Sequence, residues 1–394
     1  MRKWSLFHGC KRKWVGYILS PLFTLPLYPL VSCNNHNDFP KPETFCQQTV
    51  LIFMPWADNL QSAFNRNIRM IEYAIRQHHG LYGQRLVVFR SNSPTEASLV
   101  EIIYGRDSCY HDTLKYYHDF RPMTVDGVAQ VISDCRRKAP SIAKRYGLIM
   151  GCHGSGWLTV ENWNRAPRRV IGGTNSKDQM DIADFAEGIA RTGTKMEFIC
   201  FDDCYMAGIE TAYELRNVTT WLVGSTSEIM AYGLPYETIF HSLTAIPPDY
   251  ASVMQGFYSF YTKYGNYPYG TFAAIDCREV ETTAMIMRDI NSQYTFDLSQ
   301  LKDVQRLDGF APTIFFDMGD YIDKLCTDET LSEQMRAQLE RLVPYKVHTG
   351  AFFSVVNHAA TPIETFSGIT ISDPSQNPMA VAGIEETGWW KATH

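Results

Sequence analysis

Residues 146–157 read YGLIMGCHGSGW, and residues 196–206 read MEFICFDDCYM. Each begins as an apolar run and breaks off into glycine or charge: Leu148, Ile149 and Met150 give way to Gly151-Cys152-His153, and Phe198, Ile199, Cys200 and Phe201 give way to Asp202-Asp203-Cys204. A continuously apolar run this short fits a strand covered on both faces, the kind found in parallel sheets. Each run therefore reads as a buried strand with reactive residues at its carboxyl end.

Outward from these runs, strand and helix patterns alternate. Residues 49–54 (TVLIFM) form another buried strand, and residues 60–78 carry Phe64, Ile68, Ile71 and Ile75 at helical spacing. Strands follow over residues 85–89 and 98–104, then a helix over residues 124–137 with Thr124 as its N-cap. Residues 146–152 and 196–201 are strands separated by a helix over residues 181–190; a helix over residues 206–215 and a strand over residues 221–224 complete the series. This order predicts an α/β fold with a mostly parallel central sheet flanked by helices on both faces. Beyond about residue 240 the alternation loosens into a helix over residues 253–264, a strand over 271–275, an apolar run over 313–316, a helix over 332–343 and strands over 348–355 and 368–371. The expected organisation is a core over residues 48–245 with a C-terminal α+β extension, residues 246–394, packed on it.

In such folds ligands gather at the carboxyl ends of the strands, where His153 and Cys204 fall. On adjacent strands, their tips would face one crevice. A cysteine nucleophile needs a base or an imidazolium near its sulfur, and His153 could supply it. A helix opening near Cys204 would also favour the thiolate. Gly154 has no side chain to block its N–H, so with the Cys204 N–H it could hold an oxyanion.

The 394 residues carry a formal net charge of −6 and no basic stripe, which excludes nucleic acid as an expected partner. Arg2, Lys3, Lys11, Arg12 and Lys13 precede an apolar stretch over residues 14–30 that ends Leu30-Val31-Ser32-Cys33. The layout is that of a secretory signal, and its end resembles the lipobox of bacterial lipoproteins. Residues 1–32 then read as a signal peptide, Cys33 as the lipidated residue and residues 33–47 as a tether. This predicts an exported, lipid-anchored protein at the outer membrane or cell surface of a Gram-negative bacterium. The other cysteines show no C-x-x-C pair, so no zinc ribbon is expected.

His153-Gly154-Ser155-Gly156-Trp157 and Asp202-Asp203-Cys204-Tyr205-Met206-Ala207 together resemble the paired motifs of the clostripain family of cysteine peptidases. Trp56-Ala57-Asp58-Asn59-Leu60, residues 225–236 (STSEIMAYGLPY), Asp317-Met318-Gly319-Asp320 and Ser367-Gly368-Ile369 extend the similarity over residues 48–373. The resemblance implies a caspase-like fold and cysteine endopeptidase activity on peptides or proteins. It implies His153 as base or imidazolium partner, Cys204 as nucleophile, and Gly154 with the Cys204 amide as oxyanion hole. It further implies an S1 pocket with Asp202, Ser225 and Tyr232, where Asp202 attracts Arg or Lys at P1. Family members that favour Arg or Lys often carry a second acid after the next strand; here Met230-Ala231-Tyr232-Gly233-Leu234 holds none. Activation by cleavage between the motifs is also implied, with Arg165, Arg168 and Arg169 in the basic loop 158–177 as candidate points. Clostripain itself is associated with calcium, and the resemblance leaves calcium open here, although no EF-hand loop or dense carboxylate cluster supports it; no other cofactor is expected. The chain reads as a monomer.

Three rival readings are weaker. A serine esterase needs a G-x-S-x-G elbow, and no serine here has glycine on both sides at that spacing. A metal site of Cys152, His153, Cys200 and Cys204 would require strand neighbours to face the same way. A surface lipoprotein that uses this fold for binding rather than catalysis is the third, and the intact Cys204 and His153 count against it.

Overall fold

All seven residues of Gln48–Met54 are buried. Such a strand can sit only inside a sheet covered on both faces. The computed structural model describes residues 46–137, 143–159, 171–265 and 267–394, and there this strand, β1, is interior to a nine-stranded sheet. Its partners in chain order are β2 (Gln84–Ser91), β3 (Glu96–Gly105), β4 (Ser108–His118) and β5 (Arg145–Met150). A small ribbon of β6 (Ile171–Gly172) and β7 (Gln179–Met180) follows, then β8 (Met196–Phe201), β9 (Thr219–Gly224) and β10 (Thr271–Asp276). β11 (Phe316–Asp317) lies outside the main sheet, β12 (Tyr345–His348) joins its edge, and β13 (Ala351–Ser354), β14 (Ala359–Pro362) and β15 (Thr370–Ile371) lie outside it.

The sheet order is β12-β10-β9-β8-β5-β1-β2-β3-β4. The central strands β2, β1, β5, β8 and β9 are parallel; β3, β4, β10 and β12 run antiparallel at the flanks. Strand alternation sorts the core into two layers. Leu51, Phe53, Leu148, Met150, Ile199 and Phe201 pack with the helices Val125–Arg137, Ile182–Ala190 and Ile209–Leu215. Val50, Ile52, Met54, Ile149, Phe198 and Cys200 pack with Gln61–Gln77, Tyr236–Thr244 and Tyr250–Tyr261. From β1 the chain crosses to β2 on one side and later to β5 on the other. The β1/β5 boundary is thus a topological switch point, the place where folds of this kind bind ligands beyond the carboxyl ends of the strands.

Several elements differ from those the sequence predicts. The helix expected from residue 206 starts at Ile209, after the N-cap Gly208. The strand expected over residues 146–152 ends at Met150. The strand expected over 348–355 is two strands in different sheets, parted at Thr349-Gly350. β4, an 11-residue strand with little burial, had no counterpart in that reading. Residues on the far side of position 245 supply β10 and β12 to the main sheet. Among the described residues no helix is long and apolar enough to cross a membrane.

Candidate active site

β5 and β8 are adjacent and parallel, with Met150 paired to Phe201. His153 and Cys204 each lie three residues beyond that pair. The two strand ends are tied together. The Asp202 N–H donates to the Met150 carbonyl at 2.8 Å. Buried Asp203 accepts the Cys152 N–H at 2.5 Å and the Cys152 thiol at 3.4 Å. Burial pushes the Asp203 carboxyl up to about 8, and the Cys152 N–H bond only partly offsets this. Beyond these bonds the loops touch directly: a Cβ on Gly154 would lie 2.5 Å from the Cys204 carbonyl oxygen and 2.8 Å from Asp203 Cβ. Only glycine permits this approach.

Cys204 is half-buried, with its sulfur 4.0 Å from the Ile229 carbonyl oxygen. It stands five residues before the helix Ile209–Leu215 rather than at its N-terminus, so the expected helix-dipole help to the thiolate does not apply. Tyr205 turns the chain sharply with φ +62°, and its ring stacks on Phe315 at 4.9 Å. Its hydroxyl donates to buried Glu228 at 2.7 Å, and Glu228 also accepts from Ser354 and from the Val355 N–H. A left-handed conformation costs a non-glycine residue ~1–3 kcal/mol and persists only when the surroundings hold it. Burial drives the thiols of Cys152 and Cys200 far up, and those of Cys135 and Cys277 to about 11 and about 12, which leaves these four as unreactive core residues.

His153 is pinned on both sides. Its backbone exchanges two hydrogen bonds with Gly172 of β6, at 2.9 and 3.0 Å. Its Nε2 is 2.9 Å from Asn59 Oδ1, on the turn that follows β1. Asn59 carried a motif match in the sequence but no role; the switch-point topology is what brings it to the imidazole. C-terminal residues brace both loops. Trp157 Nε1 donates to Ser372 Oγ at 2.9 Å, the Ser372 N–H donates to Glu210 Oε1 at 2.6 Å, and the Thr370 N–H donates to the Ala207 carbonyl at 3.0 Å.

Asp202 lies under the loop that follows β9. Its Oδ1 accepts the Leu234 N–H at 2.8 Å; its Oδ2 accepts Asn67 Nδ2 at 2.9 Å and the Tyr236 hydroxyl at 3.1 Å. Burial raises its carboxyl to about 6 despite these donors. Gly233, at φ +81°, brings the loop down onto it. Tyr232, half-buried, packs on Phe260 and Tyr264, and the Arg66 guanidinium lies over its ring at 5.0 Å. Ser225 is wholly buried, its hydroxyl 2.8 Å from Thr271 Oγ1, so its side chain is part of the wall and not of an open surface. Arg165, Arg168, Arg169 and Cys33 lie outside the described residues. Among the described residues no group of three or more His, Cys, Asp and Glu side chains is placed to hold a metal ion.

Residues 106–342 match the sequence model of the clostripain family. Among solved structures the chain is similar to a secreted C11 cysteine protease from Bacteroides thetaiotaomicron, "iotapain": 45% identity over 89% of this chain and 99% of that one, TM-score 0.84. It is also similar to a clostripain from Bacteroides thetaiotaomicron in complex with the peptide inhibitor BTN-VLTK-AOMK, with 52% identity over 57% of this chain and 98% of that one, TM-score 0.55. An inactive zymogen C11 protease from Parabacteroides distasonis shares the fold at 23% identity, covering 90% of this chain and 100% of that one with TM-score 0.78. No curated protein matches the chain.

Proposed function

Since the chain belongs to the clostripain family and is a cysteine peptidase, we propose that Cys204 and His153 are its catalytic dyad and that it cleaves after Lys or Arg. The observation that carries this reading is the contact between the two strand ends, Gly154 against the Cys204 carbonyl. Cys204 and His153 then lie at one level, three residues past the last paired residues of adjacent strands, at the sheet end where such folds bind ligands.

In this mechanism Asn59 holds His153 through Nε2, and Nδ1 takes the proton from the Cys204 thiol. The thiolate attacks the scissile carbonyl carbon, and the N–H groups of Gly154 and Cys204 hold the resulting oxyanion. His153 returns the proton to the leaving amine as the C–N bond breaks, leaving a thioester on Cys204. Water, deprotonated by His153, hydrolyses the thioester and releases the acid and the free thiol. Asp202, ionised above about pH 6, attracts the P1 cation. The related clostripain supports this choice, since its inhibitor BTN-VLTK-AOMK carries lysine as the last residue of its peptide.

Activation is assigned to cleavage at Arg165, Arg168 or Arg169. β6 resumes just beyond them at Ile171, and Gly172 holds the His153 backbone, so a cut there acts on the segment that pins the histidine. Export and anchoring through a lipid on Cys33 complete the reading, with a peptide or protein substrate outside the cell.

A scan of fluorogenic peptides differing at P1, on wild type and Cys204→Ala, tests the function. Turnover of Lys and Arg peptides that vanishes in the variant is expected. A preference for large apolar P1 residues would remove Asp202 from the pocket but leave the peptidase. Undiminished turnover by Cys204→Ala would overturn the dyad.

A further inference from the structure

Asn67 sits on the helix Gln61–Gln77 and is 3% exposed. Its Nδ2 donates to Asp202 Oδ2 at 2.9 Å. An ionised carboxylate can only accept, so this bond fixes the orientation of the amide. The other end, Asn67 Oδ1, is then an acceptor; it is buried and has no hydrogen-bond partner. A buried acceptor with no donor is costly and is seldom left so without a reason.

Asp202 cannot satisfy a P1 cation alone. A carboxylate offers about four acceptor positions, an ammonium brings three N–H donors and a guanidinium five. Leu234, Asn67 and Tyr236 already occupy three of the positions on Asp202. The one acid of the loop after β9, Glu228, is taken up by Tyr205, Ser354 and the Val355 N–H, and residues 229–236 hold none. The loop does come down on this pair of side chains: a Cβ at Gly233 would lie 2.9 Å from Asp202 Oδ2 and 3.2 Å from Asn67 Nδ2. The residue before Asn67, Arg66, holds the same loop by donating to the carbonyls of Ala231 and Tyr232 at 2.6 and 3.1 Å.

We propose that Asn67 is a specificity-determining residue of the P1 pocket, its amide oxygen accepting from the P1 ammonium or guanidinium beside Asp202. This rests on Asp202 being the P1 acid. The pocket then matches one P1 cation with one carboxylate and supplies the missing acceptor as a neutral amide, which avoids burying two like charges side by side.

The test compares full-length wild type, Asn67→Leu, Asn67→Asp and Asp202→Asn on peptides with P1 Lys against norleucine, and P1 Arg against citrulline. Iodoacetamide needs no P1 pocket, and alkylation at Cys204 with the buried thiols of Cys135, Cys152, Cys200 and Cys277 protected reports that each variant is folded. Asn67→Leu is expected to lower kcat/KM for Lys and Arg about ten- to a hundred-fold, the effect of losing one hydrogen bond to a charged donor, with the neutral peptides little changed. Asn67→Asp restores an acceptor but removes the amide donor. It is expected to keep the preference for Lys and Arg and to move the acidic limb of the Lys profile to higher pH, because neighbouring carboxylates hold a proton more tightly. Loss of preference in Asn67→Asp would mean that the amide serves only to hold Asp202, and overturns the proposal. Should Asn67→Leu not fold, Asn67→Asp decides alone on the same criterion. If Asp202→Asn loses the Lys preference while Asn67→Leu keeps it, the proposal falls and the P1 acid stands. If Asp202→Asn keeps it, the P1 acid is misassigned and the proposal falls with it.

Discussion

Replacing Gly154 by alanine puts the contact between the two strand ends under direct strain. The new Cβ would sit 2.5 Å from the Cys204 carbonyl oxygen, 2.8 Å from Asp203 Cβ and 3.0 Å from Met206 Sδ. The first two are a backbone atom and a Cβ, which cannot swing away as the end of a long side chain can. Relief requires the His153 loop and the Cys204 loop to part by roughly 1 Å, a displacement that can cost on the order of 10²-fold in rate when it falls on reacting groups. Losing an oxyanion donor in the same movement costs a comparable ~10²–10³-fold in kcat. Gly151→Ala, three residues upstream, is the control, because its Cβ would meet Met54 and Phe64 at 3.7 Å, an ordinary contact. Initial rates on a Lys peptide should show Gly154→Ala at least about a hundred-fold down in kcat/KM and Gly151→Ala near wild type, with both proteins folded by circular dichroism. If the two variants turn over equally well, the strand ends do not form the reacting centre in the way described.

Asn59→Ala should lower kcat about two- to ten-fold with little change in KM, since it removes a neutral hydrogen bond that orients the imidazole and does not touch substrate; an unchanged kcat counts against that role. Asp202, raised to about 6, is ionised above that pH and neutral below it. The ratio of kcat/KM for Lys over norleucine should therefore fall as pH drops through about 6, and a flat ratio from pH 5 to 8 would contradict the P1 assignment. Tyr205→Phe removes the donor to Glu228 and should destabilise the fold by about 1.5–3 kcal/mol in denaturant titration. Burial raises the carboxyls of Asp203 and Glu210 to about 8, and those of Asp308 and Asp373 to about 7, above the ordinary values of 3.8 for Asp and 4.5 for Glu. The folded state thus holds protons that the unfolded chain has released between about pH 4 and 8, so stability falls as pH rises through that window. Tm should be lower at pH 8.5 than at pH 5.5, and the opposite order would refute the assignment.

The parallel centre of the sheet was legible because burial on both faces forces unbroken apolar runs such as residues 49–54 and 196–201, which no surface element needs. β4 was hidden for the opposite reason. Its sequence, SCYHDTLKYYH, is an edge with little burial, so its formation depends on pairing with β3 across Arg106 and Asp107, both at positive φ, and not on any apolar pattern. The helix after Cys204 was placed too early because Met206 and Ala207 are apolar and buried like the helix itself; Gly208 was the available signal for its start. His153 and Cys204 could be picked out as candidates because each lies just past the end of a recognisable strand. Asn67 could not, because its partner Asp202 lies 135 residues away and nothing in the helical pattern distinguishes it from a core-facing polar residue. The Trp157–Ser372 bond spans 215 residues and was equally invisible.

We propose Cys204, served by His153, as the reacting sulfur. Treating the full-length protein with a Lys-terminated acyloxymethyl ketone and locating the adduct by mass spectrometry tests it most directly. One adduct is expected, on Cys204, absent from Cys204→Ala and formed much more slowly in His153→Ala. An adduct on another residue, or labelling at Cys204 that does not slow when His153 is removed, would contradict it.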